Sequence, residues 1–372
     1  MANTFVTLQT IARQALPRLV ENLVFPNLCY RDFSDTFQFL GDTIQVRKPT
    51  RLNAEDFNEE SGVNYQDLQE TTLPITLDHI ATVDARASAI ETALNIDDLN
   101  RVFVEPAAVA LAEKINAAGL ELYKDIPYVA GTAGTTPNSL DAFAGARKVL
   151  NINKAPTAGR VGVWDAEADA KFATIPAIVN AEKSGTTQAL REGSIGRVFG
   201  INNYMAQGVK THTSGITAAD GVKLSASAEK GATTISITGT SLTGKLVRGD
   251  ILTILGGSYV VTEDSAAASG NAISNIKIYP ALAKAGTTAT NVVVAASHTA
   301  NLVFCPMAFA YVTRPLANPN GQGVESYVTS YNGISLRVTK GYDQKYKRSI
   351  YSMDVLYGYK TLYPELAVRV MG

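Results

Sequence analysis

The chain carries little charge for its length. Asp, Glu, Lys and Arg make up 18% of its 372 residues while hydrophobic residues make up 46%, against roughly 25% charged in an ordinary soluble domain. Such a composition leaves few charged groups to coat a free-standing surface, so part of that surface is expected to be covered by partners. The net charge is −1 and no long basic run occurs, which excludes the electrostatic footprint of a dedicated nucleic-acid binder. Cysteine is nearly absent. Cys29 and Cys305 stand far apart, which argues against a disulfide-stapled secreted scaffold and points to two free, buried thiols in a reducing compartment. No run approaches the roughly 18–20 apolar residues of a membrane-spanning helix, and residues 1–9 lack the charged-then-apolar pattern of a secretory leader. A soluble, cytoplasmic product is expected.

Histidine is also scarce. His79, His212 and His298 have no motif partner nearby, so nucleophilic catalysis with a histidine base has no recognisable carrier. Ser227-Ala228-Glu229-Lys230 matches the short S-x-x-K pattern of acyl-transfer enzymes, but the companion S-D-N and K-T-G elements are missing. Asp165, Glu167 and Asp169 are spaced like the start of a calcium loop. That loop needs glycine at its sixth position and a bidentate Glu at its twelfth, where this chain has Pro176; a solvated helix start is the better reading. The glycine-rich stretch Gly131–Pro137 lacks the G-K-[ST] ending of a phosphate-binding loop and reads as a connector. No enzyme, cofactor or metal site is expected.

What is present is a succession of structural signals. Leu8, Ile11, Ala12, Ala15, Leu16, Leu19, Val20 and Leu23 recur at three- and four-residue spacing, an amphipathic helix over 8–24 interrupted by Pro17. Ile44 and Val46 alternate with polar residues up to Pro49, and Leu73, Ile75 and Leu77 alternate again after an acidic, polar stretch from Thr50 to Thr71. Two strands joined by a long polar loop make a protruding hairpin. The longest helix signal runs from Ile96 to Ile126, opened by Asp97 and Asp98 and carrying Pro106 as a kink or first turn. A second helix is expected from Ser139 to Leu150, then a strand at Val161–Trp164 and a helix at Phe172–Val179.

Between Thr213 and Ala300 the composition shifts to Ala, Gly, Ser and Thr. Short β-type runs appear there at Thr233–Ile237, Asp250–Leu255, Tyr259–Thr262, Ile273–Tyr279 and Asn291–Ala295, spaced as in a small barrel or sandwich. Alternation resumes at Ser335–Lys340 and Arg348–Leu356, among many tyrosines. Lys345, Lys347 and Arg348 form the densest basic spot, interleaved with Tyr342 and Tyr346. It suits either nucleic acid, through charge and stacking, or the acidic hairpin of a neighbouring subunit.

Several of these segments are similar to coat proteins of tailed phages with the Hong Kong 97 fold, and specifically to the P-twenty-two-like coat family. They are 41–49 (GDTIQVRKP), Pro106-Ala107-Ala108 with Ala110-Leu111-Ala112, 123–127 (YKDIP), 131–137 (GTAGTTP), 189–197 (ALREGSIGR) and 354–358 (DVLYG). The resemblance implies an α+β capsid fold with an inserted small all-β domain. Its parts would be an N-terminal arm (1–40), an extended loop hairpin (41–78), a peripheral domain with the spine helix (79–130) and a first axial segment (131–212). The β insertion (213–299), a second axial segment (300–340) and C-terminal strands returning to the peripheral domain (341–372) would follow. The implied function is a major capsid protein assembling hexamers and pentamers into an icosahedral shell around double-stranded DNA, in the virion, after assembly in the bacterial cytoplasm. Scaffolding and portal proteins are the implied assembly partners, with weak non-specific contact to the packaged DNA and none to membrane. Candidate intersubunit contacts are Arg47, Lys48, Arg51, Glu55, Asp56, Glu59 and Glu60 in the loop hairpin, and Lys345, Lys347 and Arg348 near the C-terminus. Two other readings stay open: an encapsulin-like compartment shell, and an adhesive or glycan-binding structural protein that uses the Gly/Ser/Thr-rich region.

Overall fold

A computed structural model describes residues 8–31, 43–48, 71–88, 105–180, 191–319, 324–331 and 334–372. The chain separates into two compact units, one of residues 1–20, 31–111 and 311–362, the other of residues 21–30, 112–310 and 363–372.

The expected first helix is α1, Leu8–Asn22, with Ala12, Ala15, Leu16, Leu19 and Val20 buried along one stripe and the interior Pro17 exposed. In the first unit, β1 (Thr43–Lys48) and β2 (Thr71–Thr76) form the expected hairpin, antiparallel from Thr43↔Thr76 to Lys48↔Thr71. The acidic loop expected between them lies outside the described residues. The strand β3 (His79–Ser88) pairs along its whole length with a later strand, from His79↔Tyr357 to Ser88↔Arg348.

The helix α2, Glu105–Leu120, buries Ala107, Ala108, Leu111, Ala112, Ile115 and Leu120. Pro106 sits at its second described position, where a missing N–H costs no intrahelical bond; the expected residues 96–104 lie outside the description. A tighter 3-10 turn, Glu121–Asp125, continues the helix and ends it.

In the second unit, β4 (Val129–Gly131), α3 (Asp141–Ile152), β5 (Arg160–Trp164), α4 (Ala166–Ala173), β6 (Arg197–Val198), β7 (Ile201–Met205) and β8 (Thr211–His212) follow in order. With β15 (His298–Phe304) and β20 (Ala367–Met371) they build a mixed sheet ordered β4-β20-β15-β5-β7-β6, with β8 also paired to β15. On it Phe143 and Leu150 of α3 and Phe172 of α4 enclose Trp164, with ring centroids of Phe143, Trp164 and Phe172 4.5–5.0 Å apart. The indole of Trp164 donates to Asn203 Oδ1 at 2.9 Å, so its one polar atom is satisfied inside the core. Asp165 caps α4 by accepting the Glu167 amide, as a solvated helix start should.

Between β8 and β15 the chain makes β9 (Ile216–Leu224), β10 (Thr234–Gly244), β11 (Ile251–Ile254), β12 (Gly257–Val261), β13 (Ala272–Tyr279) and β14 (Val292–Val294). These are ordered β14-β11-β12-β13-β10-β9, and the two edges meet through a bridge between Lys223 and Asn291, so the sheet curls nearly closed. Its core is aliphatic, with Leu224, Ile235, Ile237, Leu252, Ile254, Val261, Ile273, Ile276 and Ile278 all buried. Five of the six strands lie on the β runs read from sequence. The sixth, β9, has no alternation because Ala218, Ala219, Asp220 and Gly221 break it, and its pairing with β10 is irregular.

The rest of the first unit is β17 (Val324–Tyr331), β18 (Ile334–Asp343) and the long β19 (Arg348–Thr361), which form a sheet with β3 and with β16 (Phe309–Arg314). Ile334, Leu336, Val338, Met353 and Val355 are buried in it. Gly358 of β19 is required where the end of β2 passes against it, because a Cβ there would stand 2.2 Å from the Thr76 carbonyl oxygen.

Candidate functional site

Two places concentrate polar side chains. One is the exposed turn joining β18 to β19. Asp343 Oδ1 accepts the amides of Lys345 (2.9 Å) and Tyr346 (3.3 Å), and Lys347 closes the turn at φ 51°. Asp343 is thereby occupied with the backbone, and the turn presents Lys345, Lys347 and Arg348 beside Tyr342 and Tyr346, 51% and 59% exposed. The Lys345 ammonium lies 5.3 Å from the Tyr346 ring centroid, a cation–π pairing that holds charge and aromatic surface together. The three basic candidates at this end of the chain thus share one short turn. Arg47 and Lys48 lie on β1 opposite Thr72 and Thr71, while Arg51, Glu55, Asp56, Glu59 and Glu60 fall outside the described residues.

The other place is buried, and sequence reading did not find it. Asp250, which ends the turn before β11, is wholly enclosed; Oδ2 accepts the Val247 amide at 2.8 Å and the Gly215 amide at 3.4 Å, and Oδ1 is 2.8 Å from His212 Nε2. The other His212 nitrogen, Nδ1, lies 3.1 Å from the Tyr123 hydroxyl. Arg369 on β20, also fully enclosed, donates to the carbonyl oxygens of Gly249 (2.8 Å), Tyr123 (2.6 Å) and Ile126 (3.4 Å) and stacks 4.8 Å from the Tyr123 ring centroid. Its Nη1 is 3.4 Å from His298 Nε2, and His298 Nδ1 is 2.7 Å from the Ala296 carbonyl oxygen. Burial lowers the Arg369 guanidinium to about 10 and the His298 imidazole to about 4, and it raises the Tyr123 phenol. These residues come from positions as far apart as 123 and 369, so no spacing in the sequence could have announced them.

His212 and Asp250 pair as a base and its orienting acid would, and the hydroxyl beside them is that of Tyr123, with both His212 and Asp250 enclosed. Ser227 and Lys230 lie exposed on a turn after β9. Among the described residues no group of three His, Cys, Asp or Glu is placed to hold a metal ion, and no helix is long and apolar enough to cross a membrane. Cys29 and Cys305 are both buried and form no disulfide with each other, and burial raises the Cys305 thiol.

The arrangement of sheets and helices has solved counterparts. A structure from Mycobacterium phage Che8 aligns with 94% of this chain and 90% of its own at a TM-score of 0.53 and 16% identity. The capsid of the cyanophage P-SCSP1u aligns with 94% of this chain and 88% of its own at a TM-score of 0.50 and 13% identity. The chain has the phage capsid fold. No protein-family model matches the sequence, and no curated protein does either. At such low identity what is shared is the backbone path, a mixed α+β capsid fold carried by different side chains.

Proposed function

We propose that this chain is the major capsid protein of a tailed phage, a shell subunit and not an enzyme. The observation that carries the reading is the alignment of 94% of the chain with a phage capsid subunit over nearly that subunit's whole length. The low charge is in keeping with it, because a shell subunit covers much of its surface with neighbours.

On this reading the chain divides in the Hong Kong 97 manner, and the six-stranded sheet within 213–299 is an insertion into the axial segments 131–212 and 300–340. Residues 1–40 form the arm, 41–78 the extended loop, 79–130 the peripheral domain with α2 as its spine, and 341–372 the returning strands. Arg47, Lys48, Arg51, Glu55, Asp56, Glu59, Glu60, Lys345, Lys347 and Arg348 are assigned to intersubunit contacts. The exposed basic turn supports that assignment: opposite charges across such a contact set register and reject wrong pairings more than they add affinity. Many modest contacts of this kind become strong only when closed symmetry satisfies them together, which allows errors to be corrected. A net charge of −1 suits an inner wall that lets DNA pack and leave. Scaffolding and portal proteins are the expected partners during assembly in the host cytoplasm, and the virion is the final location.

The deciding experiment is negative-stain microscopy with sedimentation of the protein expressed alone and with candidate scaffolding proteins. Closed shells are expected, of a size that separates a phage head from a small compartment. A monodisperse monomer or small oligomer under every condition would overturn the proposal. Tight duplex-DNA binding by purified subunits at physiological salt would overturn the part concerning the inner wall.

A further inference from the structure

The six-stranded sheet hangs on a two-strand stem. The chain leaves the mixed sheet through β8 and re-enters it through β15, and the two strands pair antiparallel at Thr211↔Thr299 and His212↔His298. The last rung of the stem is therefore a pair of buried histidines, with ring centroids 5.5 Å apart. Side chains reach this rung from every element around it. Asp250 comes from the turn before β11, Tyr123 from the 3-10 turn that follows α2, and Arg369 from β20. At the margin Asp125 pairs with Arg248 at 2.6 Å, and Lys124 pairs with Glu121 at 3.6 Å. Arg369 is the pin, because one guanidinium holds the Gly249 carbonyl in the turn before β11 and the Tyr123 carbonyl in the 3-10 turn after α2.

We infer that this rung is an acid-sensitive lock, closed while His298 is neutral and released when it takes a proton, freeing the six-stranded sheet to move on its stem. The argument rests on which atoms face each other. His298 Nδ1 lies against the Ala296 carbonyl oxygen, so Nδ1 carries the hydrogen and donates it. The lone pair is then on Nε2, and it faces an N–H of Arg369 at 3.4 Å. A proton arriving at Nε2 sets N–H against N–H and a second positive charge against a fully buried guanidinium. Asp250, the buried carboxylate of the group, is already committed to His212 and to two backbone amides. Nothing on the rung is left to neutralise the added charge, and the least costly relief is to part the turn at 247–250 from the stem and admit water.

The sign follows from linkage. His298 is held down to about 4, with burial as the main cause and Arg369 and His212 adding to it, against an ordinary 6.5. A closed lock that binds the proton more weakly than the open one is fully stable above about pH 6.5 and weakens as pH falls toward 4, by up to about tenfold in the open population per pH unit. Below about 4 no further weakening comes from this group.

Hydrogen exchange of the full chain, corrected for the intrinsic pH dependence of exchange, tests this. Between pH 7 and 4.5, peptides covering 210–216, 245–250 and 296–300 should lose protection by one to two orders of magnitude relative to the core strands β10 and β11. His298→Gln, which has no proton to gain, should remove the pH dependence. Stem protection that stays flat across this range, or falls equally in His298→Gln, overturns the proposal. Imidazole NMR gives an arm free of any variant: among the signals of the three histidines in the chain, one should titrate well below the ordinary 6.5 and show hydrogen on Nδ1. Three ordinary titrations near 6.5 would overturn it. Neither readout needs a shell, so the lock and the capsid reading stand or fall separately.

Discussion

Removing the Asp250 carboxylate is expected to be among the costliest single changes in this chain. The group is fully buried and serves three donors: the Val247 amide at 2.8 Å, the Gly215 amide at 3.4 Å and His212 at 2.8 Å. Asp250→Ala leaves all three without an acceptor, His212 in the interior and the Val247 and Gly215 amides partly buried, and each abandoned buried donor costs about 1–3 kcal/mol. The Gly215 contact is long and contributes least, so the sum is about 3–5 kcal/mol, a large share of the roughly 5–15 kcal/mol that holds a domain together. Asp250→Asn keeps the shape and one carbonyl oxygen but turns an NH2 toward a donor, and should cost about half as much. Urea unfolding measures the difference. The sole tryptophan, Trp164, is buried in the mixed sheet and reports that body by fluorescence, while far-UV circular dichroism reports the remaining strands. A midpoint shift at unchanged slope is a stability change. An Asp250→Ala protein within about 1 kcal/mol of wild type would refute the claim that these contacts stabilise the turn.

Further outcomes follow from other sites. Phe172→Ala empties one side of the Phe143–Trp164–Phe172 group and should cost about 3–5 kcal/mol, with Trp164 emission shifted to the red in the folded protein. Arg337→Met strands Asp354, whose Oδ2 takes two guanidinium N–H groups at 3.0 and 2.7 Å; because Arg337 is partly exposed, a loss of about 2 kcal/mol is expected in urea unfolding. Asp169 is raised by burial and by the neighbouring Asp165, so its charge opposes folding at neutral pH, and stability gains as pH falls through its raised value. Asp169→Asn should therefore be slightly more stable at pH 7, by less than about 1 kcal/mol. Replacing Lys345, Lys347 and Arg348 together by Glu should leave the unfolding midpoint nearly unchanged, because the turn is exposed, yet reduce the yield of sedimenting shells at least tenfold; normal shell yield would remove these residues from the proposed contacts.

Local pattern made much of the architecture readable. The stripe on α1, the alternation of β1 and β2, and the run of short strands from 233 to 295 each follow from a periodicity that one element imposes on its own residues. The helix at 141–152 began two residues later than its sequence signal, the usual uncertainty at a helix end. The strand β9 was missed because its Ala-Ala-Asp-Gly segment carries no alternation, and only its neighbour β10 draws it into the sheet. The basic turn at 345–348 was legible because its residues are neighbours in the chain. The buried rung was not: His212 and His298 read as unremarkable histidines, and Arg369 as one charge in a short C-terminal strand.

The sequence by itself determined composition, the order of helices and strands, and the place where an aliphatic β region interrupts a mixed α+β chain, because side-chain period and backbone preference act within a few residues. Only the tertiary structure decided which of these strands become neighbours, that β8 and β15 form a stem, and that Arg369 is buried against three carbonyl oxygens. The Arg369 guanidinium, for one, reaches a carbonyl oxygen 246 positions away in the chain. The energy of such contacts comes from excluding water around groups that only the folded chain brings together.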